Sequence, residues 1–189
     1  MNLYFLRHAS AGTKRPNPLL DLKRPIDREG KQHCLQLAHV LNALKINFDL
    51  IVSSPLKRSL QTASLIATET GYEAPILHSN ALAPEATMDD FQKLLKEFRG
   101  RENVLVVGHN PNLTCFLGGL LVPHGPHQPA VTSGKKDAPI AQVRLRKGAL
   151  ARVAIAQGPA TLGSLLDPRT VKALYAISTK SSRRKTSRK

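Results

Sequence analysis

The chain has 189 residues, 28 Lys and Arg against 13 Asp and Glu, and a formal net charge of +15. That length suits one compact domain with a tail, and a hydrophobic fraction of 41% excludes a wholly disordered chain. With aromatics at 4% and no Trp, a base-stacking platform for nucleic acid starts behind a phosphate-bearing substrate or an acidic surface as the anionic partner.

Leu3 to Leu6 is a short apolar run closed by Arg7 and His8, the pattern of a buried parallel strand. It is apolar for only about five residues, too short for a secretory signal, and no run reaches the ~18–20 apolar residues of a membrane span. A cytoplasmic protein without membrane contact is therefore expected. A polar, Pro-rich loop from Ser10 to about Asp27 precedes an amphipathic helix over about 28–45, with Cys34, Leu37, Ala38, Leu41 and Leu44 at helical spacing. Asp49 to Val52 predicts a second strand ending in Ser53-Ser54. Leu56, Leu60, Ala63 and Ala67 mark a helix that Gly71 stops.

A short extended piece near 75–78 and a loop holding Pro84-Glu85 lead to a helix over about 88–98. Val104 to Val107 is the strongest strand signal and runs into Gly108-His109-Asn110-Pro111. Leu113, Phe116, Leu117 and Leu120 give the next helix, and the Pro-, Gly- and His-rich stretch 123–139 reads as a surface loop. Residues 140–145 and 151–156 flank a turn at Gly148 and predict a hairpin. A last helix over 168–176 is followed by a tail, 178–189, with six basic residues and no apolar one, expected to be disordered. Strands alternating with helices predict a single α/β domain (1–177), its mostly parallel, doubly wound sheet flanked by helices and carrying an antiparallel edge hairpin. Cys34 and Cys115, 81 positions apart, are expected as buried free thiols.

Three predicted strands end in residues suited to a phosphoryl group: Arg7 and His8, then Ser53-Ser54 with Lys57 and Arg58 in the next helical turn, then His109 and Asn110. In an open parallel sheet the carboxyl ends share one rim, so residues distant in the chain converge there. Arginines supply bidentate charge to phosphate oxygens, and helix N-termini add N–H donors. Each residue alone reads more simply as a surface or capping group; their coincidence at strand ends favours chemistry. His33 and His39, six apart on one helix, share no face, and His124 and His127 read as solvated loop residues, so no metal site is expected.

Leu6-Arg7-His8-Ala9-Ser10 resembles the first signature of the histidine phosphatase superfamily, with Ala9 where Gly is usual. The stretch from Ser54 to Ala63 resembles its second signature, Ser-Pro-x-x-Arg-x-x-Gln-Thr-Ala. Val106 to Pro111 resembles the third, and Arg24 to Gly30 is similar to the Arg-x-Leu-Thr-x-x-Gly block. The short chain and Leu82-Ala83-Pro84 are similar to the SixA-type phosphohistidine phosphatase branch, over about residues 1–170. The resemblance implies a phosphoglycerate mutase-like fold and His8 as a nucleophile forming a transient phosphohistidine. It implies that Arg7, Arg58, His109 and Asn110 hold phosphoryl oxygens, with no cofactor or metal.

An imidazole suits that role, because its neutral nitrogen is nucleophilic near pH 7 and its phosphoryl adduct is labile to water. The first expected substrate is phosphohistidine in a protein, whose imidazole leaves readily once protonated. The alternative is a small phosphate ester, with Glu85 as the general acid that protonates the leaving oxygen. A reading of another class has the basic tail bind a polyanion or an acidic partner. The oligomeric state is not legible in the sequence.

Overall fold

The first apolar run forms strand β1 (Asn2–Arg7) in a computed structural model that describes residues 1–122, 141–156 and 160–186, with the backbone alone for 179–186. Its side chains alternate between two cores: Leu3 and Phe5 enter one, Tyr4 and Leu6 the other. The elements that follow are α1 (Pro18–Leu22), α2 (Arg28–Ala43), β2 (Leu50–Ser53), α3 (Lys57–Thr70), β3 (Leu77–His78) and a 3-10 turn (Asn80–Leu82). Then come α4 (Met88–Glu97), β4 (Asn103–Gly108), α5 (Asn112–Leu121), β5 (Leu150–Ala154), β6 (Thr161–Leu166) and α6 (Pro168–Thr186).

The six strands form one sheet in the order β3-β2-β4-β1-β5-β6. Strands β3, β2, β4 and β1 are parallel, whereas β5 runs antiparallel to both β1 and β6. On one face, α4 and α5 bury Phe91 and Phe116 against Phe5; Phe91 stacks on Phe116 at 4.6 Å, and its ring centroid lies 5.7 Å from that of Phe5. On the other face lie α2, α3 and α6, with Leu37, Leu41, Ile66 and Val171 packed over Tyr4, Ile51 and Leu105. Each fully buried Phe or Leu stabilises such a core by about 1.5–3 kcal/mol. This is the expected single α/β domain, a mostly parallel sheet with helices on both faces.

The antiparallel hairpin is present, and the expected arm 151–156 corresponds to β5, but the partner arm is not the expected 140–145. Its arms are β5 and β6, and the segment 141–146 forms no strand. The reason is competition for edges: β5 is already paired by β1 on one side and β6 on the other. Residues 141–145 instead reach the carboxyl ends of β1 and β4, where the Leu145 carbonyl accepts from both Arg7 and Asn110. The turn at Gly148 does occur, with φ +79°.

Three further differences are local. The loop before Asp27 contains α1, capped by the Asn17 side chain with Pro18 in its first turn. Helix α6 continues to Thr186, into the segment expected to be disordered. Cys34 is buried as expected, whereas Cys115 is exposed: α5 turns Leu113, Phe116 and Leu117 inward, which directs position 115 to solvent. The loop 123–139, with His124 and His127, and the final residues 187–189 lie outside the described residues.

Candidate active site

Strand register places the candidate residues. Arg7 of β1 pairs with Gly108 of β4, and Ser53 of β2 with Val107, so His8, Ser54 and His109 leave three adjacent strands at one level. The His8 N–H donates to the Gly108 carbonyl at 3.0 Å, and the Ser54 N–H to the Val107 carbonyl at 2.9 Å. The His8 and His109 rings then stand 5.0 Å apart, tilted by 52°.

The His8 side chain is buried, and its Nδ1–H donates to the Ala9 carbonyl at 2.8 Å. That bond sets the tautomer and leaves the Nε2 lone pair free. Burial pushes the His8 pKa down to about 4, with the charges of Arg58, Arg7 and Lys147 adding to the effect. His109 lies lower still, at about 2, through burial and then the charges of His8, Arg58 and Arg7. Both rings are neutral at pH 7. His109 Nε2 lies 2.9 Å from the Ser54 hydroxyl and 3.1 Å from that of Ser59. A serine proton donated to Nε2 puts the ring's own proton on Nδ1.

Five buried polar side-chain atoms have no partner among the described residues, and four of them are here: Arg7 Nε, Arg58 Nε, His109 Nδ1 and Asn110 Oδ1. A buried orphan of this kind costs about 1–3 kcal/mol, a cost that a bound oxyanion removes for the N–H donors. The three N–H donors, on Arg7, Arg58 and His109, can receive the oxygens of a phosphoryl group, with His8 Nε2 available for attack on phosphorus, whereas Asn110 Oδ1 is an acceptor and cannot.

The supporting shell explains motif residues that carry no evident chemistry. Thr62 accepts the Ala9 N–H at 3.1 Å and donates to the Arg58 carbonyl at 2.7 Å, tying the loop after β1 to α3. Gln61 accepts the Ile26 N–H at 2.9 Å. Asp27 caps α2 through Gly30 at 2.7 Å and also accepts from the Ser10 hydroxyl at 2.6 Å and the Gly12 N–H at 2.7 Å. Although burial pushes the Asp27 carboxyl up, those hydrogen bonds leave it below the usual carboxylate range. Gly30 is required by close approach, since a Cβ there would overlap the Ser10 carbonyl.

Sequence reasoning missed Asp21. Its carboxylate, on the buried side of α1, lies 2.8 Å from Arg24 Nε and 3.4 Å from an Arg58 terminal nitrogen, and its carbonyl accepts from Arg58 at 3.0 Å. The Arg15 N–H, together with Arg24 and Arg58, holds the Asp21 carboxyl below its usual range. The signal that could have found it is Asn17-Pro18, an N-cap followed by proline, which predicts a helical turn inside the loop.

The remaining candidates add no free donor for phosphoryl oxygens. Asn110 touches the same Leu145 carbonyl as Arg7, at 3.0 Å. Glu85 is exposed, yet its charge acts on Arg58. Asp90 closes a capping box with Thr87 at the start of α4, and Lys57 points to solvent. His33 bonds to the Gly148 carbonyl at 2.9 Å and His39 to the Ser178 hydroxyl at 2.9 Å, on separate sides of α2. Among the described residues no group of three His, Cys, Asp or Glu side chains could hold a metal, and no helix is long and apolar enough to cross a membrane.

A parallel-stranded α/β fold with paired histidines and arginines at its strand ends narrows the class. Residues 3–97, half of the chain, match the family model of the histidine phosphatase superfamily (branch 1), and the chain belongs to that family. An uncharacterized protein of Picosynechococcus sp. is 32% identical over 116 residues, which cover 60% of this chain and 68% of that one. Among solved structures, the protein histidine phosphatase SixA complexed with tungstate superposes with a TM-score of 0.74 at 19% identity, over 90% of this chain and 99% of the other. The alpha-ribazole phosphatase of Shigella flexneri superposes at 0.63 and 18% identity, over 89% and 97%. At such identities the two structures establish the shared fold.

Proposed function

We propose that the protein is a phosphatase that takes the phosphoryl group onto His8 Nε2 and transfers it to water, acting on phosphohistidine carried by a protein. The observation that carries this reading is the His8 ring itself. Its Nδ1–H is committed to the Ala9 carbonyl, and the free Nε2 stands in a site with three orphaned N–H donors. In the first step an Nε2–P bond forms as the P–N bond of the substrate breaks, and the leaving imidazole takes a proton from solvent. In the second, water attacks the phosphoryl group and His8 recovers its lone pair. Arg7, Arg58 and His109 Nδ1–H offset the charge on the three equatorial oxygens in both steps. The likeness to SixA supports this substrate class.

A second reading has its own observation: Glu85 is close enough for its charge to act on Arg58. There it would protonate the leaving oxygen of a small phosphate ester, and the likeness to alpha-ribazole phosphatase supports that substrate class. A panel comparing a phosphohistidine peptide with sugar phosphates and nucleotides separates the two. The proposal expects the peptide to lead in kcat/KM and Glu85→Gln to leave its turnover within about threefold. Faster ester hydrolysis, slowed ~10²-fold by Glu85→Gln, would overturn it in favour of the ester.

A further inference from the structure

A cavity of about 270 Å³ lies between the loop after β1, α2 and the start of α6. Ser10, two residues past His8, forms part of its wall, and Lys147, Arg169 and Lys172 supply three cations. Its one carboxylate is Glu29. The ion pairs among the described residues use Asp21 and Asp167, and none involves Lys147, Arg169 or Lys172. The lining therefore carries three cations against one carboxylate, and the Asp27 carboxylate lies near enough to Lys147 to feel its charge, which still leaves an excess of positive charge. Its position relative to His8 follows from two further links. The Lys147 charge acts on the His8 ring. His33, on the cavity lining, bonds to the carbonyl of Gly148, whose N–H lies 3.0 Å from the Arg7 carbonyl and 3.2 Å from that of His8.

The residues that meet a phosphoryl group at His8 leave this cavity unused. A pocket with three cations outside any ion pair of the described residues, one of them close enough for its charge to act on His8, selects for negative charge on the rest of the substrate. We propose that it binds a second anionic group, a carboxylate or a phosphate, on the same substrate molecule whose phosphoryl group meets His8. The inference rests on the phosphatase reading of His8 and adds a specificity site made by Arg169 and Lys172 of α6 with Lys147.

Two matched substrate pairs and one minimal substrate test it. One pair is a phosphohistidine peptide with Glu on both sides of the phosphorylated residue, against the same peptide with Gln. The other is a small phosphate ester with a carboxylate, against its amide. Phosphoramidate, which has no second group, reports His8 chemistry alone. The wild type should favour the acidic member of one pair about tenfold in kcat/KM, mainly through KM, the size expected of two partly exposed ion pairs. The pair that shows it identifies the source of the anion. The variant R169Q/K172Q, changed only at exposed positions, should bring that ratio within about twofold and leave phosphoramidate hydrolysis unchanged. No preference in either pair, or a preference intact in the variant, overturns the pocket while His8-dependent phosphoramidate turnover stands. Loss of that turnover in the wild type overturns the phosphatase reading and the pocket with it.

Discussion

The two site histidines are basic groups kept neutral by burial and by neighbouring guanidinium charge, and this has a measurable consequence for stability. His8 sits at about 4 and His109 at about 2, against an ordinary 6.5. In the unfolded chain both rings take up a proton near pH 6.5, while in the folded protein they stay neutral, so the unfolded state binds more protons in that window. Stability therefore rises with pH there and is lost as pH falls from about 6.5 towards 4, by up to about 1.4 kcal/mol per pH unit for each ring. Urea unfolding from pH 7 to 4.5 checks this, and His109→Asn should flatten the slope; a slope unchanged by that substitution contradicts it. The thiols divide as cleanly. Burial pushes Cys34 up to about 12, whereas Cys115 is exposed. A thiol reagent should label Cys115 alone in the native protein and both cysteines once it unfolds.

Among the elements, the loop after β1 depends on side chains from α2 and α3. Thr62 holds the Ala9 N–H, and the Ala9 carbonyl in turn holds His8 Nδ1. Thr62→Val keeps the shape and removes that tether, so kcat should fall about tenfold with KM changed little. An equal loss carried by KM would point to substrate binding instead. Asp27→Ala removes the α2 cap together with two loop anchors and should cost about 1–2 kcal/mol in urea unfolding.

The order of strands and helices was legible because β1 and β4 are continuous apolar runs and α2 and α4 are periodic. His8, Arg58 and His109 were legible because each sits at a strand end or in the first turn of the following helix. Asp21 was not, since it lies in a polar loop whose short helix has no periodicity to show. The misplaced hairpin has a different cause. Both 140–145 and 151–156 look strand-like, and only the pairing of β5 with β1 and β6 decides between partners. That is information about the sheet rather than the segment. The continuation of α6 past Ala176 was hidden in the same way, by a polar sequence with no apolar stripe.

Over the whole molecule, the order β2-β4-β1 brings three parallel strand ends together at one rim, which is why residues about 100 positions apart in the chain share one site. Six of the 28 basic residues lie in 178–189. If that segment binds polyanions, deleting 179–189 should weaken heparin binding and shallow its salt dependence while thermal unfolding stays within a few degrees, because α6 meets α2 through Val171, Tyr175 and Ser178. Unchanged affinity and slope would leave the segment without that role. The central claim is that His8 carries the phosphoryl group, and trapping it is the most direct test. Rapid quenching during turnover of a phosphohistidine peptide or phosphoramidate should capture an acid-labile, base-stable phosphoryl label on His8, absent together with turnover in His8→Ala. Turnover in His8→Ala at the wild-type rate, or a label on any other residue, would contradict the account.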